Sequence, residues 1–398
     1  MIPTTSAGAP PGTLSADLVV LSHLRWPWVW QRPQHLVSRL AGERAAAGAR
    51  TWFVEEPIHV GVDEPRLSSE TIDVDGATVE RVWYELPGDH PLAPFGEPGS
   101  EGYASALTEL IGTEADVWLY TPMALDLAEA LTPRLLVYDV MDDLASFANA
   151  PEGLRLRQRR LLNEADVVFA GGRSLHAGVS KLRRRGQVQL YPSGVETAHY
   201  ASSRALRAAP SDNRRPVAGY VGVIDERLDL ALLGQLAAQL EEWEIQVVGP
   251  VTKVEAGDLP QAPNIRYFGI QPYDRLPQVM AEFDVALMPF ALNEATRSIS
   301  PTKTLEYLAA GLPVVSTRVA DVVADFGPVV HFADTSAEFA AACRKVIDDC
   351  RDERDARVAP IERRHEWDVI AAEMSAHLKE ALAAADAAQV PQTMENSA

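Results

Sequence analysis

Ser300-Pro301-Thr302-Lys303-Thr304-Leu305-Glu306-Tyr307-Leu308-Ala309-Ala310-Gly311-Leu312-Pro313-Val314-Val315 reads as one short helix delivered into one buried strand. Ser300 is a good N-cap, and Pro301 suits the first helical position, where its missing N–H costs nothing. Gly311 stops the helix and Pro313 opens the strand. Lys303 then falls in the first turn, where a cation opposes the helix dipole. That placement makes sense if an anion binds there, because free backbone N–H groups and Lys303 converge on a phosphate. Glu306, three residues on, lies on the same face one turn deeper, where a carboxylate accepts hydrogen bonds from ribose hydroxyls. The same spacing also produces plain Lys–Glu surface pairs.

The unit of helix and wholly apolar strand repeats on both sides of this segment. In the second half of the chain, apolar runs at 217–221, 245–248, 265–268, 285–288, 314–317 and 329–332 read as strands, with a helix at 228–240. In the first half, runs at 18–21, 51–54, 117–120, 135–138 and 167–170 do the same. A helix opened by Pro33, with Leu36, Val37 and Leu40 on one face, follows the first of these, and 151–165 is helical. Strands apolar throughout and alternating with helices imply parallel sheets covered on both faces. Residues 201–216, rich in Ala, Ser, Arg and Pro, suit a linker. The expectation is an α/β chain of two doubly wound, Rossmann-like domains facing across a cleft, with ligands beyond the carboxyl ends of the strands. The bounds are a disordered lead-in at 1–14, a first domain at 15–205, a second at 206–360, a helix at 361–385 that crosses back, and a disordered tail at 386–398.

A length of 398 residues suits two domains, and 47% hydrophobic with 23% charged residues is ordinary for a globular chain. The net charge of −20 argues against a nucleic-acid partner. It also disfavours anionic lipid, leaving peripheral membrane contact to a local patch such as Lys181-Leu182-Arg183-Arg184-Arg185, which also reads as a solvated helix end. Cys343 and Cys350 lie seven apart on one predicted helix, two turns apart and too distant for a disulfide. Neither has partners at metal-ligand spacing. Cysteine poverty, no membrane-spanning run and no signal pattern point to the cytoplasm.

A second phosphate candidate is Gly219-Tyr220-Val221-Gly222, the turn after the strand that opens the second domain, followed by Arg227. A glycine turn lets backbone approach a diphosphate, and Arg227 pairs with it bidentately.

Residues 300–315 resemble the donor-binding signature of glycosyltransferase family 4 and its GT-B relatives. Tyr191-Pro192-Ser193-Gly194-Val195-Glu196 resembles the "proline, asparagine, glycine, valine, aspartate" turn that closes their first domain. Residues 283–290 resemble the strand before their donor loop, and Trp367 matches a tryptophan where their closing helix returns. Gln31-Arg32-Pro33-Gln34-His35-Leu36 and residues 138–144 look like one bacterial branch. The resemblance runs from about Leu18 to Leu382 and implies a GT-B fold and a nucleotide-sugar donor. It leaves the acceptor open: a carbohydrate, a lipid-linked sugar or a small molecule of a cell-envelope glycan, glycolipid or natural product. The family usually carries a glutamate eight residues before the ribose-binding one, and Ser298 stands there in this chain.

The donor-binding candidates are therefore Gly222, Arg227, Ser298, Ser300, Thr302, Lys303 and Glu306. On the acceptor side, Asp139 and Asp142 follow the strand at 135–138 as candidate bases, or as an N-cap and first-turn acid. His23, Arg32, His35 and Trp28 line the expected acceptor side, although the aromatic loop also suits inter-domain packing. No metal cage is expected, and no cofactor beyond the donor itself. Sugar transfer competes with two other readings: a sugar-nucleotide epimerase or phosphorylase, and a non-catalytic nucleotide-sugar-binding subunit.

Overall fold

The computed structural model describes residues 12–88, 95, 102–146, 150, 153–207, 214–297, 299–300, 302–349 and 351–389. Two sheets follow one another along the chain. The first contains β1 (Leu18–Ser22), β2 (Thr51–Glu55), β3 (Ile58–His59), β4 (Arg66–Val74), β5 (Ala77–Leu86), β6 (Asp116–Leu119), β7 (Leu135–Val140), β8 (Val167–Ala170) and β9 (Val188–Leu190). Its order is β3-β5-β2-β1-β6-β7-β8-β9, parallel except for β4, which runs antiparallel to β5. The second contains β10 (Val217–Val221), β11 (Glu244–Val248), β12 (Ile265–Gly269), β13 (Val285–Met288), β14 (Val314–Ser316) and β15 (Val330–Phe332). It is wholly parallel, in the order β12-β11-β10-β13-β14-β15. That is the doubly wound order, with its switch point between β10 and β13. The first sheet reverses likewise between β1 and β6. Strands β1, β6, β10 and β13 are buried along their whole length, as expected when helices cover both faces.

Several local expectations are corrected. Strands β4 and β5 form a long hairpin joined by Asp75-Gly76, both at positive φ (51° and 84°). Residues 197–206 are a helix, Thr197–Leu206, rather than a linker. Its Ser203 Oγ donates to the Ala310 carbonyl at 2.9 Å and its Arg204 Nε to that of Ala309 at 3.1 Å. Val195 and Tyr200 are buried in the second core, so the domains divide nearer residue 195 than 205.

The closing segment is two helices, Arg351–Arg364 and Trp367–Gln389, so the single helix expected from 361 is interrupted at His365-Glu366. The His365 carbonyl instead accepts from Val195 N–H at 2.7 Å. The final helix packs on the first domain: Lys379 and Ser375 both pair with Glu43 on the helix Arg32–Ala46. Leu14 packs into the first core at 2% exposure, so residues 12–14 are not a free lead-in; residues 1–11 and 390–398 lie outside the described residues. Cys343 is buried in the helix Ser336–Val346, which ends before Cys350, itself outside the described residues. Among the described residues no helix is long and apolar enough to cross a membrane.

Candidate active site

A cavity of about 240 Å³ lies between the carboxyl ends of the two sheets and is lined from both domains. Its second-domain wall is the helix Thr302–Ala309. Tyr307 pins that helix to the end of β10: its hydroxyl accepts from Val221 N–H at 2.7 Å and donates to the Val221 carbonyl at 3.2 Å. The first helical turn therefore faces the turn after β10. A Cβ placed on Gly222 would stand 3.4 Å from Lys303 Cε, which measures how closely the two candidate phosphate elements approach. Lys303 Nζ donates to Glu306 Oε2 at 2.9 Å and to Oε1 at 3.3 Å. Ser300 and Thr302 also line the cavity, and Ser300 Oγ is buried without a partner among the described residues. Arg227 reaches the cavity while held bidentately by buried Asp225, at 2.7–3.0 Å. Ser298 and Pro301 lie outside the described residues.

On the first-domain side the candidates separate. Asp142 lines the cavity, and desolvation there pushes its carboxyl above its usual range, with the Arg227 guanidinium opposing. Asp139 does not line it. Its carboxylate is fully buried and takes a hydrogen bond from Arg32 Nε at 2.8 Å. The expectation of a base at Asp139 is corrected accordingly: a side chain without solvent or cavity access cannot reach an acceptor hydroxyl. Arg32 borders the cavity, but its guanidinium is turned into the fold, donating also to the Tyr191 carbonyl at 2.7 Å. Its place is structural rather than acceptor-binding.

His23 follows β1 yet does not line the cavity, and burial lowers its imidazole to about 4. His35 lines the cavity but is stacked on Trp367, with ring centroids 5.1 Å apart and planes 12° from parallel. Burial lowers it too, to about 4, with Glu196 at 3.8 Å countering. It joins the closing helix to the first domain. Trp28 lines the cavity and is 58% exposed.

Three cavity residues were not foreseen as site residues. Glu196 accepts from Tyr273 at 2.5 Å and meets Arg39 at 3.5 Å, tying both domains together beneath the cavity. Glu196 stood in a quoted motif, but Tyr273 sits in a connection with no pattern of its own. Gly249, after β11, has φ of 145° and lies against the Gly222 carbonyl. Among the described residues no group of three His, Cys, Asp or Glu is placed to hold a metal.

Residues 215–349 match the family described as "Glycosyl transferases group 1". The fold is GT-B, and the match to the group 1 family covers the second domain. The matched residues include Gly222, Arg227, Lys303 and Glu306. The chain is 27% identical over 210 residues to TuaH of Bacillus subtilis (strain 168), assigned to teichuronic acid biosynthesis as a glycosyltransferase; the match spans 50% of this chain and 53% of TuaH. Among solved structures, sucrose-phosphate synthase from Thermosynechococcus elongatus superposes with a TM-score of 0.66 at 16% identity, over 93% of this chain and 100% of that one. HepE of Anabaena, in complex with UDP and glucose, gives 0.65 at 16%, over 92% and 99%. Starch synthase IV of Arabidopsis thaliana, bound to ADP and acarbose, gives 0.60 at 10%, over 92% and 99%. At these identities the likeness is one of fold.

Proposed function

We propose that the chain transfers a hexosyl group from a nucleoside-diphosphate sugar, held by the group 1 domain, to a hydroxyl of an acceptor held by the first domain. The observation that carries this reading is the meeting of Lys303, Glu306 and the Gly222 turn in one cavity wall. The diphosphate sits at the start of the helix Thr302–Ala309, against its free N–H groups. Lys303 turns from Glu306 to the phosphates, and Glu306 is released to the ribose hydroxyls. Lys303, Arg227 and the helix end then meet the charge of the leaving diphosphate without a metal.

The cavity carboxylates are Asp142, Glu196 and Glu306. Glu306 is assigned to the ribose and Glu196 is engaged by Tyr273, so Asp142 serves as base. The acceptor oxygen bonds to the anomeric carbon, the carbon–phosphate-oxygen bond breaks, and the hydroxyl proton passes to Asp142, whose raised affinity for a proton suits that task. A carbohydrate acceptor accords with the assignment of TuaH to teichuronic acid biosynthesis.

Calorimetric titration with UDP, GDP and dTDP, without added metal, tests the donor site. One nucleotide should bind, and Lys303→Ala and Glu306→Ala should each weaken it at least tenfold. Asp142→Asn should bind that nucleotide normally and lose turnover of its sugar. If no nucleotide binds the folded protein, the reading fails, and a non-catalytic role moves ahead.

A further inference from the structure

Of the eight tryptophans, only Trp28 is exposed; five are at or below 5%. Among the described residues its indole meets no other aromatic ring, while Trp26 and Trp30 on either side pack edge-to-face at 5.9 Å. The loop that presents it is firmly held. Glu55 Oε1 accepts from Trp26 N–H at 2.7 Å, and Arg25 donates to Glu55, to the Glu56 carbonyl and to the Pro57 carbonyl at 3.0–3.2 Å. Gln34 Nε2 donates to the Arg25 carbonyl at 3.1 Å, and Trp28 N–H closes a turn onto the same oxygen at 3.2 Å. The backbone is thus held where it presents an apolar ring to water, at the cavity that also holds Asp142. Leaving a large aromatic ring in water forgoes the stabilisation that its burial would give. A platform on a held backbone favours a ligand that lies flat on it.

We infer that Trp28 is the stacking platform for the acceptor, and that the acceptor presents a neutral pyranose ring there. This rests on the proposed transfer reaction and names the substrate class of its second site. A pyranose offers an apolar C–H face to an indole and a rim of hydroxyls to a carboxylate, and the cavity supplies both, the latter as Asp142. A lipid phosphate or anionic bilayer would want cations beside the ring. Arg25 is instead tied to Glu55 and Arg32 to Asp139, and the whole chain carries −20. The acidic surroundings also weigh against an acceptor sugar bearing a carboxylate at this position.

Saturation-transfer NMR on the full chain, saturated with whichever nucleotide binds it, tests the inference. The probes are p-nitrophenyl glucopyranoside, maltose, chitobiose, glucuronic acid and decyl phosphate. At least one neutral saccharide should receive saturation on its ring C–H protons. Trp28→Ala should reduce that signal at least fivefold and Trp28→Phe should retain most of it, with nucleotide affinity unchanged in both. Equal saccharide signals in wild type and Trp28→Ala, no saccharide signal at all, or signals confined to glucuronic acid or decyl phosphate would overturn it. Nucleotide binding, read by calorimetry in the same samples, separates this failure from failure of the donor site.

Discussion

Asp139 and Arg32 have given up water entirely for one another, at 0% and 2% exposure, and the Tyr191 carbonyl takes a second guanidinium N–H. A buried pair of this kind adds little net stability, but breaking it leaves an unpaired charge at a cost of about 3–5 kcal/mol. Asp139→Asn should therefore lower Tm by several degrees, while the protein that remains folded keeps its nucleotide affinity. A variant of unchanged Tm with abolished turnover would return Asp139 to the chemistry. His23 and His35 carry a pH signature. Both are lowered by burial from 6.5 to about 4, so the unfolded chain binds protons that the folded chain refuses. Stability should thus be complete above pH 6.5 and fall as pH drops towards 4, by up to about 1.4 kcal/mol per unit for each histidine. Tm measured across that window should decline less steeply in His35→Asn than in wild type. Sequence alone could name Asp139, Arg32, His23 and His35 as polar residues near strand ends. It could not tell which would face the cavity, because that depends on partners more than a hundred residues away, such as Asp139 for Arg32.

At the scale of elements, the strands that were legible are mainly apolar runs, and the helix Thr302–Ala309 was legible because Ser300, Pro301 and Gly311 punctuate the sequence around it. The hairpin β4–β5 was missed although its signal is present: Ile72, Val74, Ala77 and Val79 alternate with polar residues around Asp75-Gly76, a two-residue turn needing positive φ at both positions. The helix Thr197–Leu206 was hidden because its small and basic side chains serve the carbonyl end of the helix Thr302–Ala309 rather than a core stripe. Arg204 donates to Leu308 and Ala309, and Arg207 to Ala310 and Gly311. The turn after β11 was invisible for another reason, since its role is purely spatial. A Cβ on Gly249 would stand 1.9 Å from the Gly222 carbonyl oxygen, at a φ of 145° that other residues rarely adopt. Gly249→Ala should displace the Gly222 turn and weaken nucleotide binding more than tenfold, about 1.4 kcal/mol or more. Calorimetry beside a thermal melt checks this. A folded Gly249→Ala protein of wild-type affinity would remove the Gly222 turn from the donor site.

At the scale of the molecule, the cavity exists only while the two domains face each other, and such domains move unless their contacts hold them. One contact is built for that purpose. Asp321, 2% exposed in the helix Ala320–Phe326 of the second domain, accepts from Ser174 N–H at 3.1–3.2 Å and from Ser174 Oγ at 2.5 Å. Ser174 lies in the first turn of the first-domain helix Arg173–Ser180, so a carboxylate from one domain caps a helix of the other. Gly172 allows the approach: a Cβ there would be 3.0 Å from Asp321 Oδ2. The neighbouring Arg173–Asp325 pair has an arginine 54% exposed and should contribute little. Hydrogen bonds to a charged group are worth about 1.5–3 kcal/mol, enough to shift a closed–open equilibrium by more than tenfold. Asp321→Ala should therefore enlarge the radius of gyration in small-angle scattering of the nucleotide-free protein and lower turnover without moving nucleotide affinity. Asp321→Asn, which keeps an acceptor but loses the charge, should fall between, and Arg173→Ala should match wild type. If Arg173→Ala opens the molecule as far as Asp321→Ala, the surface pair holds the domains and the buried cap does not.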